Sequence, residues 1–409
     1  MTPTRRAFIG AAAQSAVALS AVATSASADA TPLPLADDVP RHVDDLATPA
    51  LVLDLDAFEW NVAKMSGALK ARGRAFRPHG KSHKCPEIAR RLIAAGAVGS
   101  CVARLSEAEV FAEHGISGLL VTTAIVGRAK IARAVELASR QPDTIFVVDA
   151  ADNVRDLNDA VAARQGRGTL RLNLAVDLLY GRTGIAHGAP ALALAQLIDQ
   201  LPHVRCAGLQ AYDGTAAHVV GHAARRARSL DTMGQAVETR RLFERSGLEC
   251  PLLTGGSTGT YDIDTEVEGM TEHQPGSFVF MDLDYNRIGG VDGPVYSDFR
   301  SALTVLTTVV SQRPGTAIVD GGYKAFSTDR PFGPKPVDPA LSEVPYAWAG
   351  DEHGRLDLAP AQRDVKLGDR IAFLVPHCDP TVNLYDEMHA VRGGRVEAVW
   401  PIAARGKSQ

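Results

Sequence analysis

The sequence has few cysteines, no basic run and no cysteine pair at metal-binding spacing. Its five cysteines, Cys85, Cys101, Cys206, Cys250 and Cys378, are scattered without a CxxC, which argues against a disulfide scaffold or a structural zinc site. Lys and Arg number 43 against 47 Asp and Glu, a net charge of −4. Binding to nucleic acid through phosphate neutralisation therefore has little to rest on. Low-complexity and collagen-like bias are absent, as is any internal repeat of fixed period. What is present is an ordinary globular composition, 45% hydrophobic and 22% charged over 409 residues. That length suggests two or three domains and suffices for a large core.

Residues 1–28 read as an address. Thr4-Arg5-Arg6-Ala7-Phe8-Ile9 is a twin-arginine start, followed by an alanine-rich apolar run to Val22 and small residues at Ala26-Ser27-Ala28. The run is too short and too alanine-rich for a membrane span, so the expectation is a cleaved signal for export to the periplasm. No stable membrane span is expected once it is removed.

Beyond the leader, short β-branched runs alternate with helical periodicity. Strands are predicted at 75–79, 100–104, 119–125, 144–150, 170–178, 204–213, 252–257 and 276–282, with helices at 86–95, 106–114, 128–140 and 223–246. Eight strands, most of them handing over to helices, predict a (β/α)8 barrel over 57–298, with a doubly wound open sheet giving the same local signal. After residue 299 the pattern becomes strands at 302–311, 316–320, 369–376 and 395–401, separated by Gly, Pro and Asp turns. This predicts a C-terminal, mainly antiparallel β domain over 299–409. A further strand at 48–56 has no place in an eight-stranded barrel, so segment 29–56 is assigned to the β domain.

Barrel chemistry sits at the C-terminal ends of the strands. Those ends carry Arg77-Pro78-His79-Gly80-Lys81-Ser82-His83-Lys84, then Arg182-Thr183-Gly184, Tyr212-Asp213-Gly214 and Thr254-Gly255-Gly256-Ser257-Thr258-Gly259-Thr260. The glycine-rich turn offers bare backbone N–H groups as an anion nest. It is neither a Walker A sequence nor GxGxxG, so a small phosphorylated cofactor fits better than a nucleotide. A lysine opposite such a nest suggests a pyridoxal 5′-phosphate Schiff base. Neighbouring Arg77 and Lys84 would favour the neutral amine at Lys81. Lys84 is the rival anchor, and His79 and His83 are orienting groups or plain polar residues. In the β domain, His377-Cys378-Asp379, if extended, turns imidazole and carboxylate to one side. That pair suits Mn²⁺ or Zn²⁺, and a hydrogen-bonded His–Asp pair in a turn explains it equally well. Glu352-His353-Gly354 reads as an exposed turn or as a metal or base element.

These motifs, with Thr48-Pro49-Ala50-Leu51-Val52-Leu53-Asp54, Gln274-Pro275-Gly276-Ser277-Phe278-Val279-Phe280-Met281-Asp282 and Ser327-Thr328-Asp329, resemble the fold-type III pyridoxal-phosphate enzymes. Within them the chain is similar to the D-threonine aldolase and D-serine dehydratase-like group. The resemblance implies an alanine racemase-like barrel with a C-terminal β domain, a homodimer, and Lys81 as the Schiff-base lysine. It implies that Gly255, Gly256, Ser257 and Thr258 hold the cofactor phosphate. His79, Arg182 and Tyr212 would complete the cofactor site. His377 and Asp379 would bind an activating divalent metal, most simply Mn²⁺, with His353 nearby as a base. Phe278 stands where such sequences often have tyrosine, and Leu179 where they often have glycine. His-x-Asp resembles the aldolases and His-x-Cys the dehydratases, so the expected activity is metal-dependent cleavage of a D-β-hydroxy-α-amino acid to glycine and an aldehyde. The alternatives are a dehydratase on the same site, an amino-acid racemase, a non-catalytic pyridoxal-phosphate-binding protein and a metal-dependent hydrolase.

Overall fold

A computed structural model of the chain describes residues 41–164 and 170–409. The twin-arginine leader lies outside the described residues. The first strand, β1 (Ala50–Asp54), ends at Asp54, whose carboxylate caps the helix Leu55–Ala71 by accepting from the Ala57 N–H. The chain then enters eight short parallel strands: β2 (Ala75–Phe76), β3 (Ser100–Val102), β4 (Leu119–Val121), β5 (Ile145–Val148), β6 (Leu172–Asp177), β7 (Val204–Ala211), β8 (Leu252–Gly255) and β9 (Glu272–His273). Their order runs β3 to β9 and then to β2. A parallel bridge between His79 and Cys101, with the Cys101 N–H on the Pro78 carbonyl at 2.9 Å, joins the segment after β2 to β3 and closes the ring. The expected barrel is therefore present.

Local sequence explains the helices around it. Pro86 opens Pro86–Ala94 where no N–H is needed, and Ile88, Ala89 and Leu92 bury one face while Arg90 stays outside. The predicted helix at 128–140 forms over that range, and the long charged stretch forms His222–Arg245.

The eighth strand is a correction. It lies at Glu272–His273, and the apolar run predicted as strand instead forms a 3-10 turn at Ser277–Val279. Glu272 and His273 are buried polar residues, which hide a strand from hydrophobic patterning. Phe278, Val279 and Phe280 are buried together, because the segment lies between the barrel and the second sheet. Phe278 meets Phe76 and Phe299 edge-to-face, each with centroids 5.8 Å apart.

The second sheet comprises β10 (Leu303–Arg313), β11 (Thr316–Val319), β12 (Lys335–Pro336), β13 (Tyr346–Trp348), β14 (Gly354–Asp357), β15 (Arg370–Leu374), β16 (Glu387–Arg392) and β17 (Arg395–Pro401), together with β1. Its main path is β13-β14-β11-β10-β1-β16-β17, with β15 pairing β10 and β12. The β1 strand pairs antiparallel with β10 and parallel with β16. One apolar core joins Leu51, Leu53 and Phe58 to Phe278, Phe280, Phe326 and Phe373, so a single core spans the two sheets.

A buried ion pair pins the barrel seam. Arg77, just past β2, donates from Nε and Nη2 to the two Glu272 carboxylate oxygens in β9, both at 2.9 Å. Neither side chain is more than 10% exposed. Removing one partner strands a buried charge, so Arg77→Met should lower the unfolding free energy by about 3–5 kcal/mol. Urea denaturation measures this, and a loss below about 1 kcal/mol would show the pair to be dispensable.

Candidate active site

Lys81 sits in a 3-10 turn, Gly80–Ser82, rather than at the end of a strand. Its backbone N–H donates to Nδ1 of His79 at 3.3 Å, and His79 Nε2 meets Thr122 Oγ1 at 3.1 Å. Lys81 Nζ lies 5.7 Å from the Tyr212 ring centroid, and the Arg182 guanidinium 5.9 Å from the same ring. These four residues line one cavity of about 330 Å³, with Arg104, Thr122, Thr183, Gln210 and Gln274 among its other walls. Lys81, His79, Arg182 and Tyr212 are thus brought together at the mouth of the barrel.

The charge at Lys81 departs from the expectation. Its pKa is raised above the ordinary lysine value, first by Tyr212 and then by Asp379, against an opposing effect of burial. The cations invoked to lower it are neutralised elsewhere. Arg77 pairs with Glu272, and Lys84 forms a close buried ion pair with Glu107. Lys84 is therefore committed to structure and does not compete with Lys81. His79 has its pKa pushed well below the usual value, by burial first and then by Lys81, so it stays neutral. His83, also buried, falls to about 3 through burial.

The β domain meets the barrel here. Lys81 Nζ stands 3.7 Å from Asp379 Oδ2. The His377-Cys378-Asp379 segment is not extended. His377 occupies the N-cap position of a short helix, Cys378–Val382. The turn is held by Asp282, which is fully buried and accepts from the Cys378 N–H and the Tyr285 N–H, both at 2.8 Å. The Ser327 and Thr381 hydroxyls tie Ser327–Asp329 to it, through bonds of 3.0 Å to the N–H groups of His377 and Ser327. Asp329 Oδ2 lies 2.7 Å from His377 Nδ1, which leaves Nε2 as the free donor. Burial raises the Asp379 pKa, but Lys81 and His377 outweigh it and hold the group ionised. Burial also keeps the Cys378 thiol protonated, with Sγ 3.3 Å from Asp379 Oδ1. Among the described residues no three His, Cys, Asp or Glu side chains cluster as a metal site. His377 and Asp379 can supply two donors, leaving other positions to water and substrate oxygens.

His353 is not part of this set. It is exposed in the turn before β14, and its imidazole makes no hydrogen bond or ion pair with Lys81, His377 or Asp379.

The glycine-rich turn closes β8 beside β7, the strand that Tyr212 directly follows. A Cβ at Gly255 would lie 2.0 Å from the Ala211 carbonyl oxygen, and one at Gly256, where φ is +71°, would lie 2.7 Å from Asp264 Oδ2. Only bare backbone fits. Among the described residues the Gly256 and Thr258 N–H groups have no hydrogen-bond partner, as suits an anion cradle. The Ser257 N–H donates to Thr260 Oγ1 at 3.2 Å, and Thr258 Oγ1 accepts from the Phe278 N–H at 3.0 Å. Gln274, a wall of the cavity, links the two through its N–H on the Gly255 carbonyl at 2.8 Å.

Comparison with known proteins agrees with this architecture. A family model described as alanine racemase, N-terminal domain, matches residues 53–284, and one described as putative serine dehydratase domain matches 302–391. The chain belongs to the alanine racemase-like, fold-type III family. It is 38% identical to a D-threonine aldolase of Arthrobacter sp over 88% of this chain and 93% of that one. It is 36% identical to a 3-hydroxy-D-aspartate aldolase of Paracoccus denitrificans (strain Pd 1222), over 89% and 93%. The crystal structure of D-threonine aldolase from Filomicrobium marinum superposes with a TM-score of 0.82 at 38% identity, covering 91% of this chain and all of that one.

Two residues that support the site, Asp282 and Asp264, are not among the expected site residues. Asp282 precedes Leu-Asp-Tyr as an N-cap aspartate would. Asp264, four residues past Thr260, lies on the cradle's rear. It accepts close hydrogen bonds from Ser229 and Thr260, and burial pushes its pKa up to about 7. An acid with a raised folded pKa binds its proton more tightly when folded. Stability should therefore fall as pH rises from about 4 to about 7 and then level off. Across that window the stability of wild type relative to Asp264→Asn should decline by on the order of 4 kcal/mol in urea unfolding. A flat difference would place Asp264 in an ordinary environment.

Proposed function

We propose that the chain is a lyase, dependent on pyridoxal 5′-phosphate and a divalent metal, that cleaves D-β-hydroxy-α-amino acids of the D-threonine type to glycine and an aldehyde. The observation that carries this reading is the 3.7 Å approach of Lys81 to Asp379. It sets a carbonyl-binding amine beside one member of the His377–Asp379 donor pair. The two aldolases of 36–38% identity support the same reaction class.

In this reading Lys81 holds the cofactor's aldehyde, Gly255, Gly256, Ser257 and Thr258 its phosphate, and His79, Arg182 and Tyr212 its ring. His377 Nε2 and the Asp379 carboxylate hold the metal, with Mn²⁺ preferred and Zn²⁺ an alternative, since a borderline nitrogen and a hard oxygen suit both. When bound, the pyridoxal ring supplies a sink for the electron pair left at Cα, and the cation the charge that acidifies a β-hydroxyl. The chain's own residues do the rest. Asp329 fixes the His377 ring, Asp282 fixes the turn that carries Asp379, and neutral His79 presents an uncharged face beside Lys81. When its amine is free, Lys81 is held charged next to Asp379 and is placed to deliver the proton that completes glycine. His353 is exposed and is assigned no step.

A second reading, dehydration on the same groups, is favoured by the match of 302–391 to a dehydratase-named domain. Asp379, standing where dehydratases of the group resemble cysteine, favours cleavage. Export by the twin-arginine leader to the periplasm and a homodimer belong to the same proposal, supported by residues 1–28 and by the family resemblance.

With pyridoxal phosphate and Mn²⁺, D-threonine should yield glycine and acetaldehyde, and chelation should abolish the reaction until metal is returned. Ammonia with 2-oxobutanoate would make the chain a dehydratase, and indifference to chelation would remove the metal. In Asp379→Cys the ratio of glycine to oxoacid should fall, and an unchanged ratio would show that residue 379 does not decide the outcome.

A further inference from the structure

One fully buried charge has no part in this chemistry. Arg225, on His222–Arg245, is 0% exposed. Its guanidinium donates only to main-chain carbonyls, from Nε to Gly259 at 2.7 Å, from Nη1 to Val219 and Ile288 at 3.0 Å each, and from Nη2 to Gly289 at 2.8 Å. Among the described residues no carboxylate lies within ion-pairing distance of it. Every other strongly buried cation near the site has a carboxylate partner, as Arg77 and Lys84 show. Desolvating a guanidinium costs several kcal/mol. Dipoles alone satisfy this one, and its positive charge is left uncompensated. Burial lowers its pKa accordingly.

The charge is aimed at the cradle's back. Gly259 follows Thr258 in the glycine-rich turn, and the Thr258 carbonyl is drawn the same way by the Tyr296 hydroxyl at 2.7 Å. The ring of Tyr296 lies 5.5 Å from the Arg225 guanidinium. Since C=O and N–H of one planar peptide point in opposite directions, pulling the Thr258 carbonyl toward Tyr296 turns the Gly259 N–H to the opposite side. A Cβ at Gly259 would meet the Ala217 carbonyl oxygen at 2.4 Å, so the turn has no room to be set by a side chain of its own.

We propose that Arg225 and Tyr296 are a positioning pair for phosphate recognition: they hold two cradle carbonyls back from the anion, and Arg225 supplies a buried positive charge behind it. The inference rests on the reading that this turn holds the cofactor's phosphate. Neither residue touches the reacting atoms.

The test compares binding of pyridoxal 5′-phosphate and of pyridoxal, which lacks the phosphate, by absorbance titration of the apo form of the full chain. Wild type should prefer the phosphorylated form strongly. Arg225→Lys keeps a charge but loses the planar fork, and should weaken pyridoxal 5′-phosphate binding by about tenfold while leaving pyridoxal within about twofold. Tyr296→Phe keeps the ring and removes one hydroxyl, and should cost the phosphorylated ligand about threefold, again without loss for pyridoxal. It decides the matter if the arginine variant does not fold. Equal weakening of both ligands would assign the pair a general structural role and overturn the proposal, as would unchanged discrimination in both variants. A wild type that binds the two ligands alike would remove the phosphate reading itself, and this inference with it.

Discussion

A lysine from the barrel and a carboxylate from the second sheet stand 3.7 Å apart, and much of the structure serves to keep them there. Neither sheet alone could place the other's group. Lys81 rides on a turn whose first residues are hydrogen-bonded into the barrel seam, with the His79 N–H on the Pro275 carbonyl at 2.9 Å. Asp379 rides on a short helix whose first N–H is gripped by Asp282, at the end of the segment that leaves the barrel. Between them the shared apolar core, Phe278 and Phe280 with Phe326 and Phe373, makes the relation of the two sheets a packing constraint rather than a hinge.

Electrostatics sharpen the same point. The motif around Lys81 is rich in cations, yet Arg77 and Lys84 are each cancelled by a buried carboxylate. The cations left facing the cavity are Lys81, Arg104 and Arg182, with the Asp379 carboxylate beside Lys81. Such a site attracts an anionic ligand, and its one carboxylate is placed to hold a cation. The glycine-rich turn follows the strand next to the one that Tyr212 follows, and it is too crowded for side chains at Gly255 and Gly256. That combination, a nest for phosphate and an amine for a carbonyl, fits a single small molecule carrying both groups.

The barrel was legible because its strands are β-branched runs followed by helices with clean apolar faces, such as Ile88, Ala89 and Leu92. It ceased to be legible at Glu272–His273, where a two-residue strand is made of buried polar groups, and at Phe278–Phe280, where apolar residues pack in a turn. The strands at 346–348, 354–357 and 387–392 are not legible because the first two are short and the third mixes polar with apolar residues although it lies between β1 and β17. Of the site, the motifs were visible as residue types but their electrostatics were not. Pairing partners such as Glu107 for Lys84 and Asp329 for His377 lie 23 and 48 residues away, and only the fold brings them into contact. The extended reading of His377–Asp379 failed for a similar reason, since Asp282, 96 residues from Cys378, turns the segment into a helix.

The central claim is that Lys81, and not the neighbouring Lys84, is the amine that engages the cofactor within a site completed by the β domain. Borohydride reduction of the protein loaded with pyridoxal 5′-phosphate, followed by proteolysis and mass mapping, tests it most directly. The account predicts a pyridoxyl adduct on Lys81 alone. An adduct on Lys84, or on any lysine outside the cavity, would contradict it.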